Sequence, residues 1–547
     1  MQSQDTGRQS TPDPGPSVTP AEALAAGRTA LGIELGSTRI KACLIGEDHA
    51  VLASGGSDWE NQFVDRMWTY ALEDVWSGLQ AAVAELLDDA ERRHGVRPTT
   101  VGSMGISAMM HGYLAFDAEG ELLVPFRTWR NTTTETAATE LTELFGHNVP
   151  LRWSVAHLYQ AVLDGEEHVP AVDFLTTLAG YVHWRLTGRR VLGVGDASGM
   201  FPVDAATRDY DARMLSAFDE RAGGHPTAPS RPLGELLPQV LVAGEDAGSL
   251  TEEGAALLDP SGSLQAGIAV CPPEGDAGTG MVATGAVAPR TGNVSAGTSI
   301  FAMVVLERPL QAVHPELDIV TTPAGDLVAM VHCNNGASEL GAWADMFREF
   351  AAALGHPAEP ADVYRALLGA ALDGEADGGG LLAYNYLSGE PITGLAEGRP
   401  MVVRTPGSRP SLANFARTQV YGVFGTLSLG MRVLADEGVS VDEMFAHGGL
   451  FRTAGVAQRL LAAAIEAPVA VGHTAAEGGA WGIAVLAAYQ RRGGDASLAD
   501  YLAGDVFAQS EADVVEPDQG DVAGYRAWLE QYSAGLAIQR AAAEAVR

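Results

Sequence analysis

Lysine is almost absent from this sequence, in which Lys41 is the only lysine among 34 basic residues. Acidic residues number 69, so the formal net charge is −35 and the isoelectric point lies near 4.6. Such an acidic surface repels phosphate backbones and anionic membranes, which argues against nucleic acid and membrane surfaces as partners. The single lysine either persists by chance or marks a place where a compact ammonium group matters.

Cysteine and long apolar runs are also scarce. The three cysteines, Cys43, Cys271 and Cys333, are odd in number and lack CxxC spacing. This usage fits a reducing compartment better than a disulfide framework. No apolar run approaches the length of a transmembrane helix, and the first residues show no basic-then-apolar signal pattern. The sequence therefore predicts a cytoplasmic protein.

Length and composition indicate two large folded domains. At 547 residues the chain is too long for one hydrophobic core. Hydrophobic residues make up 46% and charged residues 19%, which is a globular profile. Residues 1–28 are instead rich in Pro, Ser, Thr, Gln and Gly, and this composition predicts a disordered N-terminal tail.

Strand and helix signals alternate after the tail. Residues 29–36 form an apolar run that stops at glycine, and residues 40–45 have the pattern of a second strand. Apolar residues then recur at helical spacing over 68–93, and a further strand is predicted over 100–106. This alternation predicts an α/β architecture.

A segment near the middle of the chain repeats the layout of residues 30–45. In both places an apolar strand leads into glycine and two hydroxyl residues, and another apolar strand follows. The two triplets are Gly36, Ser37, Thr38 and Gly297, Thr298, Ser299. Such loops offer backbone N–H groups and hydroxyls to phosphate oxygens, although tight hairpins also use glycine for geometry alone. The duplication predicts two related domains whose loops face each other.

Several separated segments resemble motifs of the FGGY carbohydrate kinases, the family of glycerol kinase, xylulokinase and ribulokinase. The likeness runs from about residue 30 to about residue 490. Residues 32–41 resemble the family's first phosphate motif, and residues 297–299 resemble the second. The remaining similar segments are the Met-His-Gly segment at 107–112, the Trp-containing segment at 125–131, Tyr-Leu-Ser-Gly-Glu at 386–390 and the Gly-Gly segment at 448–453.

The resemblance implies a fold and a domain division. It implies an α/β fold with two actin-like, ribonuclease H-like ATPase domains and ATP in a central cleft. Residues 29–286 would form the N-terminal domain, with the first phosphate loop and the sugar site. Residues 287–547 would form the C-terminal domain, with the second phosphate loop and the adenosine site. The oligomeric state is left open, with a homodimer as one expectation.

Phosphoryl transfer to an alcohol requires a base near the hydroxyl. Asp276 follows a predicted strand over 267–271, and the resemblance implies that it is the catalytic aspartate and contacts the sugar. Without that context, an aspartate between Gly275 and Gly278 would be a helix cap. Asp196 is the rival carboxylate, and we interpret it as shaping the substrate domain.

Glu34 stands where the family usually has aspartate. A carboxylate at a strand end beside a phosphate loop is well placed to hold Mg²⁺ through water, because Mg²⁺ keeps much of its hydration shell. The sequence therefore predicts Glu34 as the metal residue, with a solvated strand-end glutamate as the alternative.

Four residues are predicted to bind sugar along with Asp276. Met110 and His111 belong to the Met-His-Gly segment, in which imidazole can bond a hydroxyl and methionine can pack on carbon. Trp129 and Asn131 are expected to line the same wall. Polar family residues are replaced at four positions, which changes the pocket from that of typical xylulokinases; these are Met109, Asn131, Thr133 and Ala277.

The nucleotide set comes from both halves of the chain. Gly448 and Gly449 follow an apolar strand and precede a helix, where glycine permits close approach of a purine and ribose. The first phosphate motif also contains Lys41. The residues expected to bind ATP are Gly36, Ser37, Thr38, Lys41, Gly297, Thr298, Ser299, Gly448 and Gly449.

The sequence as a whole predicts a kinase that phosphorylates a ketopentose, such as D-xylulose or L-ribulose, with Mg²⁺ and ATP. The alternatives are a kinase for another polyol or ketohexose, and a non-catalytic actin-like ATPase or sensor. Asp276 and the Met110–His111 pair favour the kinase, because an ATPase needs no base for an acceptor hydroxyl.

Overall fold

The computed structural model of the chain describes residues 18–453, 455–472, 478–509 and 512–546. Residues 1–17 of the predicted tail lie outside the described residues.

The N-terminal half of the chain forms a six-stranded mixed sheet. Its strands are β1 Ala30–Leu35, β2 Arg39–Ile45, β3 Val51–Asp58, β4 Ser103–Ala108, β5 Ala269–Val270 and β6 Glu274–Gly275. They lie in the order β5-β4-β1-β2-β3, and β6 also pairs with β4. β1 runs antiparallel to β2 and parallel to β4, so the β1–β2 loop lies at the carboxyl end of β4.

The C-terminal half forms a seven-stranded sheet. Its strands are β7 Thr291–Ala296, β8 Ile300–Val305, β9 Asp318–Thr321, β10 Leu327–Cys333, β11 Glu443–His447, β12 Val469–Val471 and β13 Asp513–Val515. They lie in the order β9-β10-β8-β7-β11-β12-β13. β7 runs antiparallel to β8 and parallel to β11.

The two sheets share one plan. Each begins with a hairpin, β1–β2 or β7–β8, and places a parallel strand beside the first strand of that hairpin. An antiparallel strand then extends each sheet on the side of the second hairpin strand. The internal duplication predicted from the glycine-hydroxyl triplets is therefore confirmed. So is the α/β fold of two actin-like domains.

Seventeen α-helices among the described residues surround these sheets. They are α1 Pro20–Ala25, α2 Leu72–His94, α3 Glu135–Phe145, α4 Ser154–Leu163, α5 Leu178–Thr187, α6 Val194–Ala197, α7 Ala212–Ala222, α8 Leu233–Leu236, α9 Glu252–Leu258, α10 Asp276–Thr284, α11 Ser338–Ala353, α12 Pro360–Leu372, α13 Leu412–Asp436, α14 Val456–Ile465, α15 Gly478–Arg492, α16 Leu498–Tyr501 and α17 Gln519–Ala545. The smaller two-stranded pairs are Gln62–Val64 with Met67–Thr69, Leu114–Phe116 with Phe174–Thr176, Val191–Gly193 with Gln239–Leu241, Val203–Asp204 with Asp209–Tyr210, and Leu381–Tyr384 with Met401–Arg404. No described helix is long and apolar enough to cross a membrane.

The prediction of a disordered tail up to residue 28 is wrong at its end, because α1 occupies residues 20–25. Thr19 caps this helix: its hydroxyl accepts the N–H of Glu22, and the Glu22 carboxylate accepts the N–H of Thr19. Leu24 is buried against the N-terminal core. Reciprocal capping and one buried leucine order a segment whose composition alone indicates disorder.

One element crosses the predicted division between residues 286 and 287. Helix α15 belongs to the C-terminal half in sequence but packs on the N-terminal sheet. A side chain at Gly32 on β1 would overlap the backbone of Ala480 and Ala484, so glycine permits the close contact of strand and helix. Ser103 on β4 donates its hydroxyl to the Ala487 carbonyl at 2.7 Å. The N-terminal domain is thus completed by a late segment of the chain.

Candidate active site

Asp276 is the first residue of α10 and directly follows β6. Register pairing places Glu274 beside Ser107 and Gly275 beside Ala108, so α10 begins next to the Met-His-Gly segment that follows β4. The Met110 N–H donates to Asp276 Oδ1 at 3.1 Å. The structure therefore joins the predicted base to the predicted sugar-binding segment.

Asp276 is an exposed residue, although many protein atoms surround its carboxyl group and partly desolvate it. This desolvation raises the pKa of Asp276 to about 6, because it disfavours the charged form. The Met110 N–H lowers the pKa, and the nearby carboxylate of Glu34 raises it. Contact with solvent moderates the effect, and a substrate that excludes this water would strengthen it.

His111 is held as a neutral imidazole. Its Nδ1 lies 3.0 Å from the Gly199 carbonyl, which can only accept, so Nδ1 carries the proton. Burial and, to a smaller extent, the Arg152 guanidinium lower the pKa of His111 to about 3. No described residue bonds its Nε2, which is therefore left as an acceptor for a substrate hydroxyl.

Asn131 has a different role from the predicted sugar contact. Its Oδ1 accepts the Trp68 N–H at 2.9 Å, and its Nδ2 donates to the carbonyls of Trp68 at 2.8 Å and Thr128 at 3.1 Å. All donors and the acceptor of this buried amide are thus engaged by backbone. The geometry favours a structural role for Asn131, which holds the backbone of Trp68 and Thr128, over sugar binding.

Trp129 remains available at the surface of the same segment. Its ring is partly buried, and the Arg130 guanidinium carbon lies 5.3 Å from the centre of that ring. The same guanidinium lies 5.2 Å from the ring centre of Trp68. The Arg130 guanidinium thus makes a cation–π contact with both indoles, and the sugar contact predicted for Trp129 stays a prediction.

The rival base, Asp196, lies on α6 with no solvent exposure. Its Oδ2 accepts the Thr177 hydroxyl at 2.6 Å, whereas its Oδ1 has no hydrogen-bond partner among the described residues. Burial raises the pKa of Asp196. A carboxylate enclosed in this way cannot reach a hydroxyl in the cleft, so Asp276 is the better candidate for the base.

The first predicted phosphate loop is braced through its carbonyl groups. Trp59 Nε1 donates to the Gly36 carbonyl and the Tyr70 hydroxyl donates to the Ser37 carbonyl, each at 2.7 Å. The two aromatic rings stack with their centres 4.2 Å apart. Sequence reasoning did not identify this pair. With these carbonyls occupied, the Ser37 and Thr38 hydroxyls and N–H groups are the polar groups left to meet phosphate oxygens.

Glu34 and Lys41 are paired across the β1–β2 hairpin. Lys41 Nζ lies 3.6 Å from Glu34 Oε2, and the Ala480 N–H at the start of α15 also bonds this carboxylate. Burial raises the pKa of Glu34, and the Lys41 ammonium partly offsets this rise. The single lysine of the chain therefore stands beside the predicted metal residue.

The residues present fit a hydrated Mg²⁺ better than a protein cage for a metal. The described residues contain no cluster of three or more His, Cys, Asp or Glu side chains that could hold a metal. Glu34 and Asp276 are close enough for the charge of one to raise the pKa of the other. Two carboxylates facing phosphate loops are the donor set expected where nucleotide phosphates and water complete the Mg²⁺ shell.

The second phosphate loop is braced by backbone. The Gly297 and Thr298 carbonyls accept the N–H groups of Ala337 and Gly336, each at 2.8 Å. Gly297 and Thr298 themselves are exposed. A side chain at Gly336 would lie within 2.5 Å of the Gly297 carbonyl oxygen, so the brace requires glycine at this position.

The Tyr-Leu-Ser-Gly-Glu segment, residues 386–390, forms hydrogen bonds with Asn335, which directly precedes Gly336 of this brace. Asn335 Oδ1 accepts the N–H groups of Leu387 at 2.9 Å and Ser388 at 3.0 Å. Its Nδ2 donates to Glu390 Oε2 at 3.0 Å. The motif therefore positions the second predicted phosphate loop through Asn335, a residue that no sequence motif had marked.

Of the two predicted adenosine glycines, Gly449 lines a cavity of about 800 Å³, and Gly448 directly precedes it in the chain. Gly448 has φ of 107°, and a side chain there would overlap the Ala296 carbonyl, so the position requires glycine. The cavity also contains Gly297, which joins the adenosine glycines to the second phosphate loop. Helix α12 adds Tyr364 and Arg365, which sequence reasoning missed because nothing local distinguishes them from an ordinary helix surface.

The raised pKa of Asp276 makes a pH prediction. A base must be ionised, so sugar-dependent kcat/KM should fall about tenfold per pH unit below about pH 6. His111 should not contribute to this fall, because its pKa of about 3 keeps the imidazole neutral between pH 4 and pH 6. This acid limb of the pH profile is measured from rates of sugar-dependent ADP release at a fixed, saturating nucleotide concentration. Circular dichroism confirms that the protein stays folded at each pH.

The γ-phosphate of ATP also takes up a proton near this pH. An experiment must therefore show whether Asp276 or the nucleotide causes the fall in kcat/KM. Asp276→Glu should move it, because the longer side chain changes the burial and the Met110 contact of the carboxylate. A limb that stays in place in this variant would belong to the nucleotide and contradict the prediction.

Comparisons with known proteins cover both halves of the chain. Residues 29–282 match the model of the FGGY family of carbohydrate kinases, N-terminal domain. Residues 292–491 match the C-terminal domain model of the same family.

Individual relatives are distant. The chain is 24% identical to the xylulose kinase of Escherichia coli K12 over 222 residues, which is 39% of this chain and 45% of that protein. Thus the match spans less than half of this relative's length. The crystal structure of xylulose kinase from Rhodospirillum rubrum superposes with a TM-score of 0.74 at 20% identity, covering 93% of this chain and 99% of the other. Gluconate kinase from Lactobacillus acidophilus gives 0.75 at 18%, covering 94% and 98%. These structures share the fold.

Proposed function

Because the chain belongs to the FGGY family of carbohydrate kinases, we propose that it transfers the γ-phosphate of ATP to a hydroxyl of a ketopentose, D-xylulose or L-ribulose. The observation that carries the proposal is the contact between Asp276 and the Met110 N–H, next to the neutral imidazole of His111. A base and a hydroxyl-binding group are thus adjacent, which an ATPase without an acceptor would not need.

In this proposal Asp276 removes the proton of the acceptor hydroxyl. A carboxylate with a raised pKa is a better proton acceptor than an ordinary aspartate at neutral pH. His111 Nε2 accepts a second hydroxyl of the sugar and fixes its orientation, and Met110 packs beneath its carbon atoms. The side chains of the N-terminal domain, residues 29–286, thereby determine which hydroxyl meets Asp276.

Nucleotide phosphates bind between the two glycine loops in this proposal. N–H groups and hydroxyls of Ser37, Thr38, Thr298 and Ser299 hold the phosphate oxygens, while Gly36 and Gly297 leave space for the phosphates to approach. The 800 Å³ cavity beside Gly448 and Gly449 takes adenosine. Mg²⁺ bound with the nucleotide would neutralise phosphate charge, with Glu34 holding it through water. Lys41 supplies the one ammonium group at this locally acidic place.

A kinase for another polyol or ketohexose is the second candidate. Ala277 follows the proposed base but has no polar side chain, and the amide of Asn131 is engaged by backbone. The sugar pocket is therefore poorer in polar groups than the Met-His-Gly resemblance implies. A screen for ADP release against ketopentoses, ketohexoses, polyols, glycerol and sugar acids distinguishes these substrates.

Sugar and nucleotide should bind cooperatively. In an open cleft the γ-phosphoryl group of ATP could be transferred to water instead of to the sugar. We therefore expect the productive sugar to favour closing of the two domains around both ligands. It should tighten binding of a non-hydrolysable ATP analogue by a factor on the order of 5–150, and the analogue should tighten sugar binding equally. Calorimetry measures both effects.

An unproductive sugar serves as the control in the same titration and should leave nucleotide affinity unchanged. If nucleotide affinity stayed constant with every sugar and polyol tried, an actin-like ATPase or sensor would become the better description.

A further inference from the structure

Glu274 is a buried carboxylate two residues before the proposed base. It is 1% exposed and lies on β6, and none of the sequence motifs contains it. Its Oε1 accepts the Gly195 N–H at 3.2 Å, and its Oε2 accepts the Asp196 N–H at 2.9 Å. Both donors belong to the first turn of α6, so the side chain joins β6 to α6.

The neighbouring backbone leaves room for this carboxylate. A side chain at Gly193 or at Gly195 would overlap the carboxylate oxygens of Glu274. Gly193 has φ of −66° and ψ of 146°, a conformation that any residue adopts. Its glycine is therefore explained by crowding from Glu274 and from the Pro273 carbonyl oxygen, which would lie 2.7 Å from a side chain, since the backbone geometry does not require it. At Gly195 the nearest atoms to a side chain all belong to Glu274.

The far end of the same short turn holds the sugar-binding histidine. The Gly199 N–H donates to the Asp196 carbonyl at 3.0 Å, and the Gly199 carbonyl accepts from His111 Nδ1 at 3.0 Å. A side chain at Gly199 would approach Nδ1 to 2.7 Å, so this contact is close. Glu274 thus acts on one end of a turn whose other end sets the imidazole of His111.

The second domain rests on this turn as well. Thr321 on β9 donates its N–H to Ser198 Oγ and its hydroxyl to the Val194 carbonyl, each at 3.0 Å. The turn therefore lies between Glu274 on one side and the C-terminal domain on the other.

We infer that Glu274 is a positioning residue that fixes the distance between Asp276 and His111. Its own strand leads into Asp276, and Asp276 holds the Met110 N–H. The turn that follows α6 holds His111 through the Gly199 carbonyl, so the connections form a closed ring. A ring of this kind sets one geometry for the base and the hydroxyl-binding group, which a linear chain of contacts would not. The inference rests on the proposed sugar-kinase function for its kinetic part and on the contacts alone for its structural part.

The kinetic test is Glu274→Gln. An amide keeps the size of the carboxylate but replaces one acceptor oxygen with NH₂, which faces a backbone N–H and must move away. Sugar-dependent kcat/KM should fall roughly 10- to 100-fold, since a small displacement of reacting groups has a large kinetic effect. Affinity for the ATP analogue should stay unchanged, because the nucleotide cavity contains neither α6 nor β6.

Asp259→Asn is the matched control. Asp259 is a carboxylate of 5% exposure whose oxygens accept the N–H groups of Ser261, Ser263 and Leu264 in another loop of the same domain. This variant should lose similar thermal stability and retain kcat/KM. Equal losses of kcat/KM in the two variants would show that Glu274 affects activity only through the stability of the fold, and would overturn the inference.

A second pair of variants moves the carboxylate without changing it. Gly195→Ala should lower kcat/KM in the parent, because the new methyl displaces Glu274. In a Glu274→Ala background, the same change at Gly195 should add little, because the three atoms nearest to a side chain there all belong to Glu274. The double-mutant cycle therefore predicts strong non-additivity, and simple addition of the two effects would contradict the proposed contact.

Hydrogen exchange with mass spectrometry keeps the test independent of turnover. Glu274→Gln should speed amide exchange in residues 194–199 and also in residues 110–112, whereas Asp259→Asn should change neither segment. If the parent phosphorylated no sugar, the proposed function would fail, and this linked change would still decide the inference. Faster exchange in 194–199 alone, or in neither segment, would overturn it.

Discussion

Asp276→Asn should reduce sugar-dependent ADP release by about 10²- to 10⁴-fold and leave nucleotide binding intact. The asparagine carbonyl can still accept the Met110 N–H, so the local structure should persist. The carboxamide cannot take the proton of the acceptor hydroxyl, so only chemistry should be lost. Coupled ADP assays, together with calorimetry of a non-hydrolysable ATP analogue, measure the two properties separately.

Asp74→Asn is the matched control for this change. Asp74 also lies in the first turn of a helix, α2, but it is exposed and its carboxylate accepts from Gln62. Turnover in this variant should equal that of the parent. Activity of Asp276→Asn within a few-fold of the parent would remove Asp276 as the base. It would direct the search to Glu34, because Asp196 is enclosed.

Gly297→Val should fold normally and lose affinity for ATP by roughly 10²-fold. A side chain at Gly297 would meet only the Ser299 carbonyl oxygen, at 3.9 Å, so the protein itself has room for it. Gly297 does not have a positive φ, so valine brings no strain of the left-handed kind. The new side chain should instead occupy the space above the loop where a phosphate would approach the backbone.

Gly407→Val separates this effect from a general effect of valine. Gly407 also lacks a positive φ, and no atom lies within 4 Å of the position that a Cβ would take. Both variants should melt within a few degrees of the parent, and only Gly297→Val should lose ATP binding in calorimetry. Unaltered ATP affinity in Gly297→Val would reduce the second triplet to an ordinary hairpin turn.

Features that depend on neighbouring residues were predictable from the sequence. Alternating apolar residues and glycine stops give the β1–β2 and β7–β8 hairpins, because hairpin pairing is local. The repeated triplets gave the duplication for the same reason. The Met-His-Gly segment and Asp276 could be placed together only through the family resemblance, since 166 residues separate Met110 from Asp276.

Features that depend on distant pairing were not predictable. Asn131 has a side-chain amide of the kind that can bind sugar hydroxyls. In the structure this amide is hydrogen-bonded to the backbone of Trp68, 63 residues earlier. Glu274 carries no local signal, because the glycines that make room for it lie about 80 residues before it in the chain. In both cases the role of a polar group is set by a partner that no sequence window contains.

The packing of α15 on the first sheet has a consequence for the order of events during synthesis. Gly32 on β1 lies against Ala480 and Ala484, so this face of the sheet is covered by residues made some 450 positions later. At roughly 5–20 residues per second, translation leaves that face uncovered for about 20–90 s. During this interval the face of β1 and β4 that α15 later covers stays exposed. The first domain to be synthesised is therefore among the last to be finished, and its folding is tied to release of nearly the whole chain from the ribosome.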